Sequence, residues 1–518
     1  MSRVITILEI SQKQAYIYGS NKLKENIVNS SVIAYVLSAE YIEKILSDMG
    51  YKDKENMVYA GGGHTILTFC DETPQKALEK SKNCVERLTM TIYRDFDGLN
   101  VFAKAKVYDE SKTVGENLKD LVALLESKKA IRKSAFKKGS FGIEKTDATT
   151  LQPKKSSDSA KESKEKKLVR KAEEEKALPK SIKESGYKPV YKFENLGGSK
   201  NESNFIAVVH IDGNGMGKRV ENLYKSIESD KTDNEDTFEE NKQKLREFSE
   251  CIDADFLSAY EDMLEDVKKE ISENENIKQT LSLKKNKDDK IYFPVRRVVV
   301  AGDDICFITE GRIGVECAVK FIEALNTKKN KVDGLGYAAC AGVAIVHQKY
   351  PFYRAYELAE SLCSNAKSFN ATVHGEDNGQ SISSIDWHIE FGEMGDSLEE
   401  IRENYVSYDG IRLNIRPYII SGANNLAGDI ELYHDYKKFK NNFTRLTKKG
   451  ASLATSKMKE LRRALREGED ETLFYLESGS MTDVIFPNME FFEDYDSKRA
   501  SYSFDAIEIM DTYLPFEN

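Results

Sequence analysis

The sequence has no long apolar run: nothing in its 518 residues approaches the roughly 20 consecutive apolar positions that a bilayer-spanning helix needs. A helical integral membrane protein is excluded. The amino terminus, MSRVITILEI, is apolar but short and has no small-residue cleavage site, so it reads as a buried strand and not as a signal peptide. There is no basic surplus either: 77 Lys and Arg stand against 87 Asp and Glu, a net charge of −10. That excludes a protein that coats duplex nucleic acid through a uniformly basic surface. It leaves room for a local basic groove, and for a carboxylate site that needs divalent cations. The seven cysteines form no CxxC pair, so neither a disulfide framework nor a zinc ribbon is expected, and a reducing cytoplasm is the simple setting. Aromatic residues are plentiful, with 24 Phe and 26 Tyr, enough for more than one core. At roughly 150 residues per domain the length predicts three or four units.

The expected fold class is α+β. Residues 4–10 (VITILEI) predict a strand, and MVYAGGGHTILTF predicts a hairpin broken by Gly61, Gly62 and Gly63. Helices before the hairpin and near 74–94, then the strand VFAKAKV, give a β-α-β-β-α-β order, the split βαβ or ferredoxin-like unit. This first domain is expected over 1–144. From 145 to 190 the chain predicts a charged, flexible linker: between 150 and 185 there are 11 Lys/Arg and 7 Asp/Glu and no aromatic residue. Such composition does not bury enough apolar surface to fold alone.

The element order then recurs over 191–380, with the strand FIAVVHI, the hairpin VRRVVVAGDDICFIT, and a helical insertion at about 221–290. In the insertion Leu245, Phe248, Ile252, Phe256, Tyr260, Met263, Val267 and Ile271 recur every three or four residues, the stripe of an amphipathic helix packed on a core. Residues 381–518 predict a mainly helical, strongly charged region.

Asp212 ends one buried strand, and Asp303 and Asp304 sit in a hairpin turn. Each motif alone has an ordinary meaning, since Asp-Gly and Gly-Asp-Asp are common turn chemistry. Together, at strand ends of one split βαβ unit, they predict adjoining carboxylates whose repulsion a hard divalent cation would relieve. Two such ions, Mg²⁺ or Mn²⁺, serve phosphoryl or nucleotidyl transfer. Gly213, Gly215 and Gly217 follow Asp212 and are expected to form a loop facing a triphosphate.

These residues resemble a family. HIDGNGMG, VVVAGDDICF and ELAESLCSNAK are similar to the second Palm domain of the large polymerase-like subunit of type III CRISPR effectors. ILEISQKQAYIYGSNKLKENIVNSS and AGGGHTILTF are similar to its first, degenerate Palm. IDWHIEF and LNIRPYII resemble segments that follow the second Palm.

The resemblance implies a nucleotidyltransferase that condenses ATP into cyclic or linear oligoadenylate messengers in antiviral defence. It assigns Asp212, Asp303 and Asp304 to catalysis and to the two metals, with the Ile211 carbonyl as a further ligand. Gly302 and Lys367 would meet the nucleotide. The partners it implies are ATP, guide RNA, target RNA and other effector subunits, with no membrane. Three departures stand out. Ala301 replaces the first glycine of the usual Gly-Gly-Asp-Asp, Asn214 stands where a second Asp is common, and the Palm-like unit begins at residue 4, with no nuclease domain expected before it. In the first unit Gly61, Gly62, Gly63 and His64 replace the acidic turn, and Glu9 matches Asp212. This pocket is expected either to bind a second nucleotide without catalysing, with Ser30 and Ser31 as contacts, or to be purely structural. Two other functions stay open: an inactive scaffold of an RNA-guided complex, and a GGDEF-like dinucleotide cyclase.

Overall fold

The computed structural model of the chain describes residues 2–20, 22–61, 64–96, 98–130, 162–196, 204–228, 235–373, 380–391, 397–422, 434–447, 455–479 and 497–517. The first unit opens with β1 (Ser2–Ser11), followed by α1 (Lys13–Tyr18), α2 (Leu23–Val36), α3 (Ala39–Asp48) and the short α4 (Asp53–Asn56). The hairpin β2 (Met57–Gly61) and β3 (His64–Asp71), then α5 (Pro74–Asp95), β4 (Asn100–Val107) and α6 (Val114–Ala130) complete it. α5 starts where the sequence dictates: Thr73 caps the Lys76 amide and Pro74 occupies the first turn, where no amide partner is needed. The four strands pair in the order β2-β3-β1-β4, antiparallel throughout, which is the split βαβ arrangement.

The segment expected as a flexible linker is a folded bridge where it is described. α7 (Lys164–Lys176) is capped by Ser163 and followed by α8 (Lys180–Glu184) and a two-residue strand, β5 (Tyr187–Lys188). Its charged composition hides the reason it is ordered. Glu173, 6% exposed, accepts from the guanidinium groups of Arg296 at 2.8 Å and Arg297 at 2.9 Å. The Ser31 hydroxyl donates to the same carboxylate at 2.9 Å. A buried ion-pair network, beside the buried Val169 of the same helix, ties α7 to both units.

The second unit contains β6 (Phe205–Gly213), α9 (Met216–Glu228), α10 (Glu235–Glu273), α11 (Glu275–Leu281), β7 (Ile291–Tyr292), β8 (Val295–Ala301) and β9 (Asp304–Glu310). α12 (Gly314–Asn326), β10 (Ala339–His347) and α13 (Phe352–Val373) follow. The stripe on α10 is core, as its period predicts: Phe256, Met263 and Val267 are fully buried. The sheet runs past residue 380, because α13 returns the chain to lay β11 (Ser383–Glu390) parallel to β10, and β12 (Tyr418–Ser421) joins beyond. IDWHIEF and PYII thus belong to this sheet, whose order is β12-β11-β10-β6-β9-β8. Four helices close the described chain: Tyr436–Thr447, Thr455–Glu467, Glu469–Ser478 and Ser497–Glu508.

Helices cover both faces of this sheet, so β10 reads as a continuous apolar run, while β11 is buried throughout although Ile385, Trp387 and Ile389 alternate with Asp386, His388 and Glu390. α13 lies unusually close to β10. A Cβ on Gly342 would come within 2.0 Å of the Ala359 carbonyl oxygen and 2.4 Å of the Cys363 amide.

Candidate functional site

Strand register places the acidic residues. Asp212 is directly opposite Asp304, and Ala301 opposite Asp304 on the other side, which leaves Gly302 and Asp303 as a two-residue turn. Gly302 has φ +63°, the left-handed value that a tight hairpin turn gives to glycine. Ala301 stays in the strand ladder, so the replacement of the first glycine costs the turn nothing. Asp303 packs beside Gly213, where a Cβ would come within 2.8 Å of the Asp303 Cβ. From α13, Lys367 reaches back so that its Nζ lies 2.5 Å from Asp212 Oδ2 and 3.3 Å from the Gly213 carbonyl. Asp212, Asp303, Asp304 and Lys367 are thus together at one end of the sheet.

The electrostatics follow from this crowding. Burial, then the neighbouring Asp212, pushes the Asp303 carboxyl up to about 6. The same two causes push Asp304 up to about 7. The Asp304 side chain is 52% exposed and lines a cavity. Lys367 acts against both shifts. Burial alone would lower its own pKa, and contact with Asp212 outweighs this and raises it.

The glycine loop differs from the phosphate-facing expectation. The Gly213 amide donates to the Asp303 carbonyl at 3.2 Å and the Asn214 amide to the Ala338 carbonyl at 2.8 Å, so both are engaged within the protein. Gly213 is small because the turn packs on it, and Gly215 has φ +68° with the Gln380 side chain in the place of a Cβ. Asn214 also has a structural reason: its Nδ2 donates to the Ile382 carbonyl at 2.7 Å, a bond an ionised Asp could not make. Ile211 is fully buried in the central strand, paired with Ile305 and Ala341, so its carbonyl belongs to the sheet ladder.

A cavity of about 1550 Å³ lies between the units and is lined by Asp303, Asp304, Glu9, Ser30, Ser31 and Ala60 among others. Glu9 pairs in register with His64 and accepts from Lys129 Nζ at 2.6 Å. Gly61 closes β2 opposite His64, whose ring lies 5.1 Å from that of Tyr59. Gly62 and Gly63 lie outside the described residues. The Ser31 hydroxyl is committed to Glu173 and to the Ile27 carbonyl.

Sequence reasoning missed four neighbours of the carboxylates. Lys13 of the first unit lines the cavity, and it and Asp304 influence each other's protonation. His210, two residues before Asp212 on the same strand face, places Nδ1 3.6 Å from Asp304 Oδ1. Glu360 accepts from Gln14 at 2.7 Å, one turn before Cys363 on α13. Asp253, on α10, accepts the Gly302 amide at 2.7 Å. Only the i, i+2 relation of His210 to Asp212 was readable in the sequence.

The donor set fits a hard divalent cation. Asp212, Asp303 and Asp304 lie near enough at one end of the sheet for Asp212 to raise the other two, and that repulsion is what an added positive charge would relieve. Among the described residues no three His, Cys, Asp or Glu side chains form a preassembled cage, since Asp212 is turned onto Lys367.

Comparison with known proteins agrees with this geometry. Residues 205–372 match the family Cas10/Cmr2, second palm domain. Csm1 in a Csm1–Csm4 cassette in complex with cA3 superposes with a TM-score of 0.54 at 14% identity, over 99% of this chain and 70% of that one. The same cassette with AMPPNP gives 0.52 at 15% identity over 99% and 70%, and Csm1 from T. onnurineus gives 0.54 at 15% over 99% and 70%. No curated protein sequence matches the chain. Among the described residues no helix is long and apolar enough to cross a membrane. Residues 205–372 are thus similar to the Cas10/Cmr2 second palm domain, and the chain as a whole has the fold of Csm1.

Proposed function

We propose that the chain is a nucleotidyltransferase that condenses ATP into oligoadenylates. The observation that carries this is the grouping of Asp212, Asp303 and Asp304 at one end of the sheet, with Asp303 and Asp304 lining a cavity that both palm units also line. At about 1550 Å³ it exceeds the ~300–1,000 Å³ of a pocket for one small ligand, and so has room for two nucleotides. Asp212, Asp303 and Asp304 would hold two Mg²⁺ or Mn²⁺ ions. Bound there, the ions supply activation of a 3′-hydroxyl and neutralisation of the departing pyrophosphate. Lys367 adds a positive charge beside Asp212 and would meet phosphate oxygens. The first unit, through Glu9, Ser30 and Ala60, bounds the other half of the cavity and would seat the acceptor nucleotide. Joining two nucleotides needs that hydroxyl within about 3–3.5 Å of the donor α-phosphorus, which two facing half-sites arrange. The same proposal makes the chain a partner of a Csm4-type subunit, of guide RNA and of target RNA.

Incubation with labelled ATP and Mn²⁺ is the test. Pyrophosphate together with oligoadenylates is the expected result, and phosphatase resistance marks cyclic ones. Absence of pyrophosphate in a folded, complex-bound protein would mean a scaffold. A dinucleotide as sole product would mean a cyclase of the GGDEF kind.

A further inference from the structure

We infer that Asp253, on the insertion helix α10, is a positioning residue for the catalytic turn. The inference rests on the nucleotidyltransferase function proposed above. Gly302 must keep a left-handed backbone to present Asp303 and Asp304, and its amide points away from the strand ladder. Asp253 Oδ1 accepts that amide at 2.7 Å. The bond lies within the cavity wall, because Asp253 and Asp303 line the same space. Asp253 is itself exposed and lines the cavity, outside the buried stripe of α10, so core packing gives no reason for an acid here.

The same helix face continues to the first unit. Arg246 Nη2 donates to the Met57 carbonyl at 3.1 Å, and the Ser249 and Tyr59 hydroxyls share a hydrogen bond of 2.9 Å. Positions 246, 249 and 253 are spaced by three and four residues, so they lie along one side of the helix. One rigid element therefore grips β2, which leads into the glycine turn of the first unit, and the Gly302 turn of the second. α10 sets the distance between the two half-sites, and Asp253 is its contact with the acidic turn.

The role requires an acceptor oxygen, not a charge, and this separates positioning from metal ligation. Asp253→Asn keeps an acceptor oxygen, while Asp253→Ala and Asp253→Ser remove the contact. The first readout is amide hydrogen exchange across 300–305 in the protein free of nucleotide and metal. Exchange at Gly302 should rise about tenfold or more in the Ala and Ser variants and stay near wild type in the Asn variant. The second is pyrophosphate release, where Ala and Ser should lower kcat about tenfold or more with KM for ATP little changed, and Asn should restore most of the rate. Unchanged exchange in Asp253→Ala would overturn the inference. So would an Asn variant as impaired as the Ala variant, which would make Asp253 a ligand or charge. If wild-type protein releases no pyrophosphate, the proposed function fails, and exchange alone decides the role of Asp253.

Discussion

Lys367 Nζ and Asp212 Oδ2 stand 2.5 Å apart, bridging α13 to the end of β6. The lysine compensates Asp212 directly and also draws Asp303 and Asp304 downward, Asp304 less strongly than Lys13 does. Removing it as Lys367→Met should push both carboxyls higher still. Cation binding needs them ionised, so wild-type activity should climb through pH 6–7, and the variant's midpoint should lie at higher pH. A pH–rate profile with the midpoint unmoved would separate Lys367 from these groups.

Asp303→Asn with Asp304→Asn should lower pyrophosphate release by at least about a hundredfold, a loss typical of removing groups that stabilise developing charge. Stability should move the other way. A carboxyl whose folded pKa is raised destabilises the fold increasingly as pH rises from its unfolded value near 4 to its folded value. Here that window ends at about 6 for Asp303 and about 7 for Asp304. In chelator, the double variant should therefore melt above wild type at pH 8 and match it near pH 4. A lower Tm at pH 8 would show that the carboxylates stabilise the metal-free turn.

Glu173→Ala should destabilise the protein by about 3–5 kcal/mol, because it leaves the buried Arg296 and the half-buried Arg297 without their shared partner. Limited trypsin digestion reads this out. Wild-type Lys164–Lys176 should be spared, and the variant should be cut there. Cleavage within α7 of the wild type at early times would contradict its place in the fold.

Ala60→Trp places an indole in the cavity from the first unit's side. Product formation should fall about tenfold or more, while metal-dependent binding of one ATP to the second unit persists. Equal product yield in a folded variant would remove the first unit from catalysis.

The two split βαβ sheets were legible because apolar strand runs and glycine turns repeat in the same order twice. The closeness of Asp212 to the acidic turn was legible because Asp212 and Asp304 each bound a buried strand and Asp303 sits in the turn beside them. α7 was not, because its order comes from Glu173 meeting two arginines more than a hundred residues away. Asp253 was hidden for a related reason: period reports the apolar side of α10, and any of the acids on its polar side could have faced the turn. Asn214 looked like a lost ligand, and only the position of the Ile382 carbonyl explains the amide.

The closeness of α13 to β10 at Gly342 has a consequence for the charge balance at the far end of the helix. A lysine has a fixed reach, so the height of its helix above the sheet decides which oxygen its ammonium meets. A methyl group at Gly342, paired beside His210, would act as a shim and tilt α13 away from the sheet. Lys367 would then be drawn off Asp212, with no polar group altered. The pairing of Lys367 with Asp212 is thus anchored mechanically, by a buried residue that has no side chain at all.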